Sequence, residues 1–258
     1  MKNAIYILSL AILLTGLVIL GGCATMTPSS EWRSFPVKFS ERTEERSALV
    51  CVPKGQGPFA AVVFNHGNIV DGWGWPGAKE GGYRLDKVCE KISAEGYFVF
   101  APIREKYPRG KNFRGYEDTY REIVLQAIDH VKTLPEADNT RVALVGFSMG
   151  GFVSFRVALE RSDLRAVVLL APAPVWGPLT EALRDAARLS APMLVMVEES
   201  DDPLILGGVA SIEIATQAHG KLLKLVKYNR GGGHQLFYDV GYWWKEFAAF
   251  LHERLDKR

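Results

Sequence analysis

One segment restricts the fold of this chain more than any other. Val142-Ala143-Leu144-Val145 is a short, apolar, β-prone run, and it passes without a linker into Gly146-Phe147-Ser148-Met149-Gly150-Gly151, where helical periodicity begins. Strand, sharp turn and helix in that order hold the turn residue above the end of a sheet. A side chain at position 146 or 150 would collide with the neighbouring strand or helix, and glycine has no Cβ to collide.

The rest of the chain supplies the sheet. Strands are predicted at 35–39, 48–52, 60–65, 97–101, 142–146, 166–171, 193–197 and 222–228, and helices at 84–95, 116–133, 150–160, 179–189, 209–219 and 241–254. The later strands are continuous apolar runs, as expected where helices cover both faces. The alternation predicts an α/β fold, a mostly parallel eight-stranded sheet flanked by helices. The first two strands have no helix between them and should form an antiparallel edge. No repeat or linker divides residues 35–258, so one domain is expected there. Hydrophobic residues make up 48% and charged residues 23%, which excludes a disordered chain. With 31 Lys and Arg against 29 Asp and Glu, nothing favours a nucleic-acid partner.

The beginning of the chain carries an address. Lys2 precedes a mostly apolar run over residues 4–20, which reads as an export signal. Leu20-Gly21-Gly22-Cys23 resembles the lipobox of bacterial lipoproteins. The resemblance implies a signal peptide over 1–22, cleavage before Cys23, a lipid anchor on that thiol and a place in the cell envelope. Ala24 stands where the inner-membrane retention signal has Asp, which favours the outer membrane if the source has two. The alternative is an uncleaved anchor, since the run is long enough to span a bilayer. Residues 23–34 read as a lipidated tether. Cys51 falls in a strand-like run and Cys89 in a helix-like one, so two separately buried thiols are expected.

Ser148, at the centre of G-x-S-x-G, is the candidate nucleophile. The chain here resembles the α/β-hydrolase superfamily over about 49–255, especially its dienelactone-hydrolase-like and prolyl-oligopeptidase-like serine hydrolases. Three blocks carry the resemblance: Phe64-Asn65-His66-Gly67, Gly96-Tyr97-Phe98-Val99-Phe100-Ala101-Pro102, and the Ser148 turn. Dienelactone hydrolases have cysteine where this chain has Ser148, so their particular substrate is not implied.

A serine hydroxyl needs a base. His234 follows the last predicted strand in the glycine-rich Arg230-Gly231-Gly232-Gly233, where such a loop can reach over the sheet edge, and the family has its histidine there. His130 and His252 lie on helices, His219 at a helix end, and His66 beside the expected oxyanion loop, which it should shape. The acid should lie between Ser148 and His234 in chain order. Asp201 fits the family register of Pro192 and Leu194, although Glu198 replaces the usual glycine. A one-residue slip selects Asp202. The resemblance implies an oxyanion hole from the backbone N–H groups of Asn68 and Met149.

Only one helix is predicted between residues 171 and 192, which leaves no room for a large lid. The segment 69–82, read as a loop, holds Trp73 and Trp75, which either wall the pocket or pack on the domain. The basic run 104–114 reads as a solvated loop, with attraction of an anionic substrate as its functional alternative. The expectation is a serine hydrolase of the carboxylesterase type acting on a small-molecule ester, with no metal or organic cofactor needed. No propeller-like segment precedes the hydrolase part, which favours ester over peptide bonds. A peptidase or amidase, an acyltransferase on the same three residues, and a catalytically silent envelope-binding module remain alternatives.

Overall fold

The computed structural model describes residues 29–104 and 115–256. The predicted signal peptide 1–22, the lipidation residue Cys23 and residues 105–114 of the basic run lie outside the described residues.

The chain opens with an antiparallel hairpin of β1 (Ser29–Phe39) and β2 (Arg42–Val52). There follow β3 (Phe59–Asn65), α1 (Asn68–Glu80), α2 (Leu85–Ala94), β4 (Phe98–Pro102), α3 (Glu117–Val131), β5 (Ala137–Phe147) and α4 (Met149–Glu160). The second half contains β6 (Ala166–Leu170), α5 (Pro178–Arg184), β7 (Met193–Glu198), α6 (Pro203–Ala218), β8 (Leu223–Tyr228) and α7 (Trp244–Leu255). All eight strands form one sheet in the order β1-β2-β4-β3-β5-β6-β7-β8. β2 runs antiparallel to β4, and every pair beyond β4 is parallel. Every residue of β4, β6 and β7 is buried, which is why these strands read as unbroken apolar runs. The parallel strands point their carboxyl ends to one edge, the edge where open α/β sheets place their sites.

Several local features depart from the sequence reading, and β2 and β5 begin at Arg42 and Ala137, six and five residues earlier than predicted. β1 begins at Ser29, so residues 29–34 belong to the hairpin and not to the tether. They are mostly exposed edge-strand residues, and an edge strand needs no apolar signature. Segment 69–82 is largely helical: α1 is broken at Gly74 (φ 74°) just before Pro76, the two residue types that hid it. α6 starts at Pro203, six residues earlier than predicted, because Asp202 caps it and Pro203 occupies the first turn, where proline is tolerated. Finally, Cys51 and Cys89 form a disulfide between β2 and α2. The expectation of two separate thiols fails because α2 packs on β2 and brings the two Cα atoms to 5.9 Å, within bonding range. A bridge closing a loop of this size stabilises a domain by about 2–4 kcal/mol.

Candidate active site

Ser148 lies between β5 and α4 with φ 54° and ψ −119°, in the left-handed region that side chains other than glycine avoid. Close packing holds that strain in place. A Cβ at Gly146 would run into the Gly150 carbonyl and Ser154 Oγ, and a Cβ at Gly150 into the carbonyls of Asn65 and His66. The Ser148 backbone is fixed further by its N–H to Leu170 O at 2.9 Å and by the Ala173 N–H, which donates to its carbonyl at 2.9 Å. Only 9% of the residue remains exposed, at the sheet edge.

His234 approaches from the loop after β8. Ser148 O–H faces His234 Nε2 at 2.9 Å, and His234 Nδ1–H faces the Asp201 carboxylate at 3.0 and 3.2 Å. Asp201 is buried just past β7, and one of its oxygens also accepts the Asp202 N–H at 2.7 Å. Asp202 points elsewhere: its carboxylate accepts the Leu204 N–H at 2.8 Å and caps α6. The remaining histidines are engaged differently. His130 packs against Phe35 and Phe100, His252 bonds Tyr97, Glu95 and Asp256, and His219 ends α6.

The loop that carries His234 is tied down by a residue the sequence marked only as a departure from the family pattern. Glu198 ends β7 with no exposure, and its carboxylate accepts the N–H groups of Arg230 at 2.8 Å and Gly231 at 3.3 Å and the Tyr242 hydroxyl. Burial pushes this carboxyl up, but those donors outweigh it and hold it below the usual carboxylate range. Glycine could not accept these bonds.

Asn68 and Met149 are the first residues of α1 and α4. N–H groups at that position have no partner within their helix and are available to an anion. Beneath them lies a buried polar cluster that sequence reasoning missed. Arg104 is 2% exposed and so is not part of a solvated basic loop. Its guanidinium pairs with Asp71 of α1 through two bonds, at 3.2 and 2.5 Å, donates to Asn65 Oδ1, and lies 4.9 Å over the Tyr120 ring. Asn65 Nδ2 in turn donates to the Gly150 carbonyl at 3.0 Å, in the first turn of α4. One guanidinium thus ties the start of α1 to the start of α4. Burial pushes the Asp71 carboxyl up to about 6 against the pull of Arg104.

His66 completes the cluster. Its Nε2 accepts the main-chain N–H of Arg104 at 3.1 Å, so Nδ1 carries the proton and donates to the Gly67 carbonyl at 2.9 Å. Burial, then Arg104, holds its pKa well below the usual histidine value, and the ring is neutral. The Gly67 carbonyl also accepts the Val70 N–H at 3.2 Å. In a trans peptide the next N–H points the opposite way. His66 therefore fixes the direction of the Asn68 N–H. The only sequence signal for this cluster was His66 beside the glycine; Asp71 and Arg104 carried none.

A cleft of about 370 Å³ opens beside the imidazole, lined by Pro174, Asp201, Asp202, Leu204, Ile205 and His234. Trp73 and Trp75 do not line it: Trp73 is 63% exposed, and Trp75 packs edge-on against Trp32 at 5.7 Å.

Residues 48–240 match the dienelactone hydrolase family. Esterase EstD of Thermotoga maritima is 29% identical over 162 residues, which span 58% of this chain and 36% of that protein. The chain thus corresponds to little more than a third of the length of that relative. Among solved structures, a putative dienelactone hydrolase from Klebsiella pneumoniae superposes with a TM-score of 0.65 at 18% identity, over 88% of this chain and all of the other. An acylaminoacyl peptidase from Pyrococcus horikoshii gives 0.70 at 16% identity, over 89% of this chain and 42% of the other. At such identities the two structures speak for the fold, an α/β-hydrolase sheet.

Proposed function

The chain belongs to the dienelactone hydrolase family, and from that premise we propose that it is a serine hydrolase cleaving a carboxylic ester through Ser148, His234 and Asp201. The observation that carries the reading is the continuous chain of short contacts from Ser148 Oγ to His234 to Asp201. The ester preference is supported by the relation to an esterase.

The geometry suits two-step acyl transfer. His234 Nε2 takes the hydroxyl proton as Ser148 Oγ bonds to the carbonyl carbon. The carbonyl oxygen gains negative charge between the N–H groups of Asn68 and Met149. The imidazolium, stabilised by Asp201, gives its proton to the departing alcohol oxygen as the C–O bond breaks, leaving an acyl-serine. Water then attacks the acyl carbon as His234 takes its proton, and the imidazolium returns that proton to Ser148 Oγ as the acyl C–O bond breaks, which releases the carboxylic acid. A fluorophosphonate probe tests the nucleophile. The folded protein should take up one probe, on Ser148, and the Ser148→Ala protein none. A folded protein that stays unlabelled overturns the reading.

In the same reading Cys23 anchors the enzyme to an envelope membrane, supported by Leu20-Gly21-Gly22-Cys23 after the apolar run. Mass spectrometry of the mature protein should find a diacylglyceryl group on an N-terminal Cys23; retention of residues 1–22 would contradict the anchor.

A further inference from the structure

We propose that Glu198 is a positioning residue for the reaction: its buried carboxylate is an internal anion around which the backbone of residues 230–232 is wrapped, and this clasp sets where the His234 imidazole stands. The inference rests on the serine-hydrolase reading and adds a residue, outside the three reacting ones, on which their alignment depends.

The need for a clasp is written in the loop itself. Arg230-Gly231-Gly232-Gly233 leads directly into His234, and glycine leaves a backbone with more conformational freedom than any other residue. Gly231 and Gly233 use that freedom, with φ of 76° and 53°. The same loop must deliver the imidazole to two fixed points, Ser148 Oγ at 2.9 Å and the Asp201 carboxylate at 3.0 Å. Ordering a soft segment this closely costs entropy that contacts from outside the segment must offset.

The end of β7 supplies those contacts in sequence. One Glu198 oxygen accepts the N–H groups of Arg230 at 2.8 Å and Gly231 at 3.3 Å, and the Gly232 N–H also bonds this carboxylate. Successive main-chain N–H groups that converge in this way form an anion nest. Here the anion belongs to the chain. Two residues on, Ser200 Oγ accepts the Gly233 N–H at 3.2 Å, and Asp201 then meets His234. The main-chain carbonyl of Glu198 accepts the Asp201 N–H at 3.0 Å, so one residue holds both the acid and the loop of the base. The second carboxylate oxygen accepts the Tyr242 hydroxyl. Tyr242 stands just before α7, with its ring edge-on to Tyr228 at 5.2 Å and under the Arg230 guanidinium at 4.7 Å. A Cβ on Gly232 would lie 2.9 Å from that hydroxyl, so this glycine is what admits it. A single carboxylate thus fixes the loop from the β7 side and from the α7 side.

The test compares Glu198→Gly, which empties the nest, with Glu198→Gln, which keeps an oxygen for the loop N–H groups. With p-nitrophenyl acetate, kcat of Glu198→Gly should fall by about 10²-fold while KM changes little, the cost of an imidazole displaced by about 1 Å. Glu198→Gln should lose only about fivefold, the difference between a charged and a neutral acceptor. Sodium formate offers the vacated nest a free carboxylate. It should raise kcat of Glu198→Gly by about tenfold and leave the wild type unchanged, and sodium chloride at the same ionic strength should do neither. A purely structural role would lower the melting temperature without a formate response. A folded Glu198→Gly protein that keeps the wild-type kcat, or that loses it and ignores formate, overturns the role. If Glu198→Gly does not fold, Glu198→Met decides, since it fills a similar space and accepts no N–H. Its kcat should lie about tenfold below that of Glu198→Gln, and equal values overturn the role. Fluorophosphonate labelling of the wild type separates the two levels. A labelled wild type whose Glu198 variants keep full turnover rejects the positioning role alone, and a folded, unlabelled one rejects the serine-hydrolase reading with it.

Discussion

On the proposed serine-hydrolase reading, Asp201→Asn should lower kcat by about 10⁴-fold, because an amide at this position cannot hold the imidazole in the tautomer that accepts the serine proton. The Asp201 carboxylate has no exposed surface and receives Nδ1–H, which leaves Nε2 free to accept. An amide nitrogen facing Nδ1 would move the imidazole proton to Nε2, where it faces Ser148 as a donor. Asp202→Asn, one residue on, leaves kcat within about twofold and stability nearly unchanged, because asparagine caps a helix about as well as aspartate. Asp202→Ala loses the bond to the Leu204 N–H and costs about 1 kcal/mol of stability without touching the chemistry. Turnover of a p-nitrophenyl ester, read beside thermal melting of each variant, checks all three. The opposite pattern, a dead Asp202→Asn and an active Asp201→Asn, would assign the acid to the other residue.

That pair also shows how far a sequence reaches. Two adjacent aspartates after a strand differ by one step of register, and in the bend that follows β7 no local pattern says which of them faces the histidine. What separates them is the helix start: Asp202 precedes Pro203 and is drawn into capping α6, while Asp201 remains turned towards His234. The weak signal was the Asp-Pro dipeptide. The strands were legible because β3, β4, β6, β7 and the second half of β5 are apolar on both faces, and the Ser148 turn because its glycines answer close contacts with the backbone of neighbouring elements.

The unreadable parts share a physical cause. α1 carries Gly72, Gly74, Pro76 and Gly77, residues of low helix propensity, and becomes helical through tertiary packing. Cys51 and Cys89 are 38 residues apart, and their meeting depends on how α2 lies on β2. Arg104 begins a run of basic residues and looks solvated, yet it turns inward to meet Asp71. In each case the deciding partner is distant in the chain, and local pattern carries no record of it.

Arg104 therefore merits its own test, because its loss should disturb both the fold and the chemistry, by separable routes. Arg104→Met leaves the fully buried Asp71 carboxylate without its cation, which costs about 3–5 kcal/mol of stability. Without the guanidinium the Asp71 carboxyl rises further above its usual range. A buried acid with a raised folded pKa is tolerated best when protonated, so the loss should be smaller at pH 5 than at pH 8. Urea unfolding at the two pH values measures this. The same change cuts the link from Asp71 to Asn65 and through it to the Gly150 carbonyl, and with it the fixed spacing of the Asn68 and Met149 N–H groups, while the main-chain N–H of residue 104 keeps its bond to His66. Losing one aligned oxyanion donor costs about 10²–10³-fold, so kcat should fall by about 10²-fold while KM changes little, since the donors act on charge that develops after binding. Adding Asp71→Asn to Arg104→Met removes the stranded charge and should restore much of the stability, but not kcat, because the amide does not rebuild the bridge between α1 and α4. A double variant that regains both would reduce Arg104 to a partner for Asp71. Recovery of stability alone identifies it as the residue that sets the distance between the two walls of the proposed oxyanion site.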